Sequence, residues 1–289
     1  MGYSSLPGWR VNLEYDYIRQ DQLRSGTRAV SGVPNGQELE HDTLNRYITA
    51  GLSYSPNSAW DVSLLVPYVA RTHSTYGALD SSQPLPELSN SSSSSLGDIR
   101  AIVSYQGLLP TRTLGLQLGV KLPTGRYGTA VDFNTGPNAG TPLDASLQPG
   151  TGSTDVIVGA YYYRPVSQDF DLVMNGQFQA AVKQRMDLPG HDYRPGNSIT
   201  ISVGLRDEAK PQWVPQLQLN LLHKSPDQGA LADIQSSAGN VAYLSPGLTV
   251  RISARLYAFG FVQVPLYSNL YGYQLFPRWT GSAGFAYVP

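Results

Sequence analysis

The sequence predicts an all-β chain: a transmembrane, antiparallel up-and-down β-barrel of about twelve strands. Three observations point there. Strand-length segments alternate between apolar and polar residues, their connections alternate between short and long, and aromatic residues gather beside the short connections.

Composition sets the frame. Only 14% of the 289 residues are charged and 10% are aromatic, with 19 Tyr against 7 Phe. Soluble domains carry about 25% charged residues, so much of this surface need not meet water. Mean hydropathy is nevertheless −0.23. No run of ~18 apolar residues exists, which excludes a transmembrane helix. Low charge with modest hydropathy suits strands that alternate between lipid and a wet lumen. The chain has no Cys. Disulfides and Cys-based metal or redox sites are therefore excluded, as suits a chain that crosses an oxidising periplasm. A net charge of −1 singles out no partner. No basic run interleaved with aromatics stands out, so nucleic acid is not an expected partner.

Strands are expected near 9–19, 43–55, 60–72, 97–107, 113–123, 154–164, 170–184, 197–207, 213–223, 247–256, 258–267 and 278–288. In the fifth, Leu114, Leu116, Leu118, Val120 and Leu122 oppose Gly115, Gln117, Gly119 and Lys121. In the seventh, Phe170, Leu172, Met174, Phe178, Ala180 and Val182 oppose Asp171, Asn175, Gln177, Gln179 and Lys183. In the ninth, Leu217, Leu219 and Leu221 oppose Gln216, Gln218 and Asn220. Period two places each set on its own face.

A β-sandwich alternates in the same way, so the connections decide. The short ones are Ser55–Ala59, Leu108–Arg112, Pro165–Asp169, Glu208–Gln212 and a corner at Leu256–Tyr257. Between them come Arg24–Asp42, Ala78–Leu96, Thr124–Ser153, Asp187–Gly196, Ser225–Pro246 and Ser268–Pro277. Short periplasmic turns and long extracellular loops give this parity, with both termini periplasmic. Trp60, Phe170 and Trp213 open strands after short turns. Tyr54, Tyr105 and Tyr162 close the strands before them. Trp9, Trp279, Phe285 and Tyr287 extend the set at the termini. Such rings collect at the membrane interface, which fixes the outward face. The run Asn90–Ser95 reads as low-complexity and mobile. Thr124–Ser153 either folds inward to constrict the lumen or lies exposed as a variable loop.

Residues 1–8 are read as an N-terminal tail, trimmed or left over from cloning, and 9–289 as the barrel. No signal peptide precedes Trp9, so the chain is read as a mature or trimmed form.

With the outward face fixed, the other face lines a lumen. Its basic residues are Arg10, Arg46, Arg71, Arg100, Lys121, Lys183, Arg206, Arg251, Arg255 and Arg278. Its acids are Glu14, Asp16, Asp61, Asp98, Asp155 and Asp171. Charges at mid-bilayer cost about 2–4 kcal/mol for Arg or Lys, which drives them inward. Ten basic against six acidic residues give either a network of ion pairs or a positive-leaning channel that favours anions. Arg251 and Arg255 are expected well inside their strands.

Signals for catalysis are weak. His41, His73, His191 and His223 fall mostly near loops and read as solvated. The neighbours His73-Ser74 and His191-Asp192 are not triads, since adjacent strand residues face opposite ways. Asp132, Asp144 and Asp227 lack calcium-loop spacing. No enzyme activity, metal or cofactor is expected. The expected partners are outer-membrane lipid and a transported solute or unfolded polypeptide, with a trimeric homo-oligomer left open.

Internal echoes carry a resemblance. Residues 97–105 and 154–162 share a leading acid, an apolar run and a closing Tyr. Leu65-Val66-Pro67, Lys121-Leu122-Pro123 and Gln263-Val264-Pro265 are each followed by Tyr-Gly, at Tyr76-Gly77, Tyr127-Gly128 and Tyr271-Gly272. Together with Leu96-Gly97-Asp98, Gly119-Val120-Lys121-Leu122-Pro123-Thr124-Gly125 and Gln148-Pro149-Gly150-Thr151-Gly152-Ser153-Thr154-Asp155, these features resemble the outer-membrane family named for the meta-pathway of phenol degradation. The resemblance implies a pore-forming transporter barrel. In barrel size the chain is also similar to the functional-amyloid secretion barrel of Pseudomonas (FapF-like), which carries an additional N-terminal gating segment. That likeness implies export of amyloid subunits. The third expectation, of another class, is an outer-membrane lipid- or peptide-hydrolysing enzyme.

Overall fold

The computed structural model describes residues 7–80 and 82–289. It contains β1 (Gly8–Gly26), β2 (Arg28–Ala29), β3 (Glu38–Ser55), β4 (Trp60–Ala78), β5 (Ser89–Leu96), β6 (Ile99–Tyr105), β7 (Leu114–Leu122), β8 (Ser153–Pro165), β9 (Phe170–Gln184), β10 (Ser198–Asp207), β11 (Trp213–Lys224), β12 (Gly239–Arg251) and β13 (Leu256–Tyr287). Every pairing is antiparallel between ring neighbours. The β13–β1 ladder closes the ring, with β2 and β5 off its main path. Residues 1–6 of the expected tail lie outside the described residues, and β1 already begins at Gly8.

Eleven segments make the ring, yet alternating antiparallel neighbours close only in even number. The 32-residue β13 resolves the parity. Its residues 257–270 pair with β12 and residues 270–287 pair with β1, both antiparallel. Since β12 and β1 run in opposite directions, β13 must double back. The reversal falls at Tyr271-Gly272, where Gly272 takes φ +62, a left-handed value that glycine adopts without steric cost. The open ends of this hairpin meet where Val288 N–H donates to Arg255 O at 2.8 Å. The wall is thus crossed about twelve times, as the sequence leads one to expect.

Proline explains an irregularity. Both β5 and β6 lie against β4, along Tyr68–Thr75 and Trp60–Leu65 respectively. They share one ring position, broken at Gly97-Asp98. Opposite the break is Pro67, which has no N–H to give the ladder. Its carbonyl still accepts Gly97 N–H at 2.8 Å.

Three segments differ from the sequence expectation. The serine run Asn90–Ser95 forms most of β5, in register with Arg71–Ser74 and their neighbours. A ladder needs only backbone donors and acceptors, so low complexity does not prevent it. The loop expected at Ser268–Pro277 is strand around a tight reversal. β12 begins at Gly239, inside the loop expected over Ser225–Pro246, and its turn occupies residues 252–255. Pro246 reads as the end of that loop, but here it lies within the strand. The β12–β13 ladder merely skips Ser245 and Pro246.

The two faces are inverted relative to a soluble protein. Leu116 and Leu118 are 47% and 62% exposed, whereas Gln117 and Lys121 between and beside them are 6% and 3% exposed. Directly paired residues share a face, so the ladders carry this assignment around the ring. Trp9, Trp60, Phe170 and Trp213 are all outward and exposed, with Trp9 against Tyr54 and Trp60 against Tyr105 at 4.6 Å between centroids. Tyr162 takes the same face through its pairing with Leu114 and Met174. Phe285 and Tyr287 are outward near the same rim. Trp279 stands toward the opposite rim, stacked on Tyr17.

Inside, large side chains require small partners. Gly115 pairs with Tyr161, and a Cβ on Gly115 would come within 2.1 Å of the Tyr161 ring. Gly115→Ala is therefore expected to destabilise the barrel by about 1–3 kcal/mol, the usual overpacking cost. Tyr161→Ala in the same chain should remove most of the added penalty. Urea unfolding in lipid vesicles reads both effects, and additive losses would show that the ring does not cover this glycine.

Candidate functional site: the lumen

The ladders place Arg10, Glu14, Asp16, Asp61, Arg71, Arg100, Lys121, Asp155, Asp171 and Arg206 on the inner face. Asp98, buried in the break between β5 and β6, also meets Lys121. Five expected lumen residues lie elsewhere. Arg46 pairs with outward Tyr17 and Ala70 and is exposed. Arg278 follows an irregularity between Ile18 and Gln20 that brings it outward, 63% exposed and 3.1 Å from Asp21. Arg251 ends β12 and Arg255 lies in the following turn, both exposed, because β12 starts earlier than expected. Lys183 lies past a bulge at the end of β9, opposite Thr154, and is exposed.

Several of the remaining charges pair with one another, whereas Arg71 is held by carbonyls and Glu14 and Asp16 join no ion pair among the described residues. Lys121 Nζ donates to Asp98 Oδ2 at 2.8 Å and to Ser153 O at 2.9 Å, and stands 3.4 Å from Asp155 Oδ1. Asp98 also accepts the N–H groups of Gly125 and Thr151, each at 3.0 Å. Arg10 pairs with Asp61. Arg206 lies opposite Asp171 and 2.8 Å from Glu208. A buried charge stays charged only when so partnered.

The loop over residues 123–152 enters the barrel. Arg71, inward on β4, donates to the carbonyls of Leu147 and Gln148 and to the Tyr47 hydroxyl. Within the loop, Val131, Phe133 and Leu143 cluster with Leu147 around a 3₁₀ turn, Ala145–Leu147. Gln148 Nε2 ties Val131 O and Leu143 O at 3.0 and 2.9 Å. His73 is not a solvated loop residue. It is 3% exposed, shares a 2.8 Å hydrogen bond with Thr43 and faces the Phe133 ring. Residues 43, 71 and 73 are all inward, so the segment touching them constricts the long-loop end of the lumen.

Opposite this filled side a cavity of about 240 Å³ remains. Glu14, Gln216, Gln218, Asn220, Ser245, Thr249, Phe259, Phe261, Gln263 and Ser282 line it. Among the described residues Glu14 is its only charged lining residue, and no cation lines it. Amides and hydroxyls dominate, with Gln216 bonded to Thr249 at 2.7 Å and Asn220 to Ser245 at 2.8 Å. An anion preference based on Arg251 and Arg255 therefore loses its footing. The two phenylalanines escape a reading that follows charges alone, although alternation with Ala258, Gly260 and Val262 already places them inward. Among the described residues no group of three or more His, Asp or Glu side chains is arranged to hold a metal ion.

Comparison with known proteins follows from this geometry. The profile of the family described as "MetA-pathway of phenol degradation" matches residues 25–264. No curated protein matches the chain significantly. Among solved structures, an outer-membrane channel from Pseudomonas putida F1 superposes with a TM-score of 0.65 at 12% identity, covering 98% of this chain and 96% of that one. The NanC porin gives 0.50 at 10% identity, covering 96% and 100%. The β domain of the Bordetella autotransporter BrkA gives 0.50 at 11%, covering 98% and 100%. At these identities the solved structures show the shared barrel fold. The comparisons lend no support to the functional-amyloid secretion barrel.

Asp144 precedes the 3₁₀ turn at the constricted end. Its side chain is exposed at the surface, yet the walls of the mouth around it desolvate the carboxyl. That desolvation, reinforced by Glu38 and Asp233, pushes its carboxyl up to about 6. An acid raised in the folded state contributes stability that is complete below its unfolded value near 3.8 and lost as pH rises through about 6. The loop should therefore be held more tightly at pH 4.5 than at pH 7.5. Asp144→Asn should slow hydrogen exchange of the loop amides at pH 7.5 and change little at pH 4.5. Equal effects at both pH values would remove Asp144 as the cause.

Proposed function

The chain belongs to the family of the MetA-pathway of phenol degradation, and on that premise we propose that it is a passive outer-membrane channel for small uncharged solutes bearing an aromatic ring and a hydroxyl group. In this reading the long loops face outside the cell, and the short turns and termini face the periplasm.

The observation that carries it is the chemistry of the open cavity. Phe259 and Phe261 present ring surface for a second ring to stack against. Gln216, Gln218 and Gln263 bring amide donors and acceptors to the same space, suited to a hydroxyl that either gives or takes a hydrogen bond. A fixed cation would hold an anion there, but none lines the cavity. The inserted loop narrows the path, so a solute meets this wall rather than passing through a wide aqueous pore. Transport of this kind needs no bond-making by the chain.

Planar bilayers test the reading. The purified barrel should carry ionic current, and phenol should interrupt it in a concentration-dependent way. Phe261→Ala should weaken that block about five- to tenfold, the scale of one aromatic pair. Glucose should have no comparable effect. Current blocked by glucose but indifferent to phenol would shift the substrate to polyhydroxylated compounds. Absence of current at any voltage, with lipid or peptide hydrolysis that tracks the protein, would overturn the channel itself.

A further inference from the structure

The outer face carries a feature that solute passage does not use. Along β1, β3 and the last arm of β13, toward the long-loop rim, stand Arg19, Arg46 and Arg278. Arg19 and Arg278 are 54% and 63% exposed and pair with Asp42 and Asp21. Arg46 is exposed and has no ion-pair or hydrogen-bond partner among the described residues. It sits directly across the ladder from Tyr17, and Arg19 is one step farther on, opposite Leu44. Tyr17 stacks on Trp279 with centroids 5.4 Å apart. Three arginines thus surround an aromatic platform on three adjacent strands.

Height matters here. Tyr54 marks the turn-side girdle, and Arg46 lies eight residues farther along β3. At ~2.5 Å of axial rise per tilted residue, that is roughly 20 Å across an apolar band about 25 Å tall. Arg46 is therefore just inside the far edge, within reach of the headgroups by snorkelling. At this height the other strands present Tyr68, Leu96, Leu122, Val156, Ile201, Leu219 and Val264 outward. Lys183, Lys224 and Arg28 lie beyond it, at the ends of β9 and β11 and in β2. At the height of Arg46 the basic character is local, not a general ring.

We propose that this patch binds a phosphorylated glycolipid headgroup of the outer leaflet. The Arg46 guanidinium would take the phosphate, Arg19 and Arg278 would flank it, and the Tyr17–Trp279 platform would pack against the sugar. A guanidinium matches two phosphate oxygens at once. Aromatic faces suit the C–H face of a sugar. The flanking aspartates hold their arginines only through exposed pairs, which are weak and exchange partners readily. The assignment concerns the lipid-facing wall and holds whichever solute the lumen carries.

Native mass spectrometry of the detergent-purified barrel tests it, with diphosphorylated lipid A as the probe. The wild type should retain this lipid and lose most retention when the lipid is dephosphorylated. Arg46→Gln should weaken retention several-fold, and Arg46→Gln with Arg278→Gln about tenfold or more. Lys210→Gln, in a turn at the opposite rim, should leave it unchanged. Excess inorganic phosphate should fail to displace the lipid. Equal retention of the dephosphorylated lipid, full displacement by inorganic phosphate, or undiminished binding by a folded Arg46→Gln barrel would each overturn the proposal. Heat-modifiable gel mobility reports folding. Should the variants not fold, the wild-type comparison of the two lipids decides the matter alone.

Discussion

Lipid offers the backbone no hydrogen bonds, so every N–H and C=O within the band must find its partner in the wall. The rest of the structure depends on this. It forces β13 to meet β1, and antiparallel pairing then requires the reversal at Tyr271-Gly272. It also explains how prolines are handled. Pro67 faces the break between β5 and β6, and its carbonyl is used by Gly97. Pro246 leaves a gap in one ladder while its strand continues on both sides.

Closure separates two solvents, and the side chains follow. Hydrocarbon turns outward, and Arg10, Lys121 and Arg206 settle against acids inside. Lys121 links Asp98 and Asp155, joining the β5–β6 break, β7 and β8 around one ammonium. Asp98 in turn holds the loop through Gly125 and Thr151, and Arg71 holds its other part through Leu147 and Gln148. The polar network therefore fills one side and fixes the constriction. The space left on the other side belongs to amides, hydroxyls and two phenylalanines.

Much of this was legible in the chain itself. Trp60, Phe170 and Trp213 mark one rim because interfacial aromatics and short turns coincide, and β9 runs Phe170–Gln184 as the alternation indicates. Arg46 shows where a rule misleads. It shares parity with outward Tyr54, but a rule that sends every charge inward overrides that parity. The cost of a charge fades near the headgroups, so parity wins there. Arg278 depends on a ladder irregularity, which leaves no mark in residue type. Arg251 and Arg255 depend on the strand starting at Gly239 and running through Pro246. The loop's course through the lumen is set by contacts from Arg71 and His73, far away in sequence.

The central claim is that internal pairing leaves the lumen without a net positive field. The reversal potential of the wild-type barrel in a potassium chloride gradient measures this directly, most sensitively at low ionic strength, where screening is least. The account predicts a potential close to zero. A potential strongly displaced toward chloride would mean that the inner arginines and Lys121 act as an open field, and would contradict it.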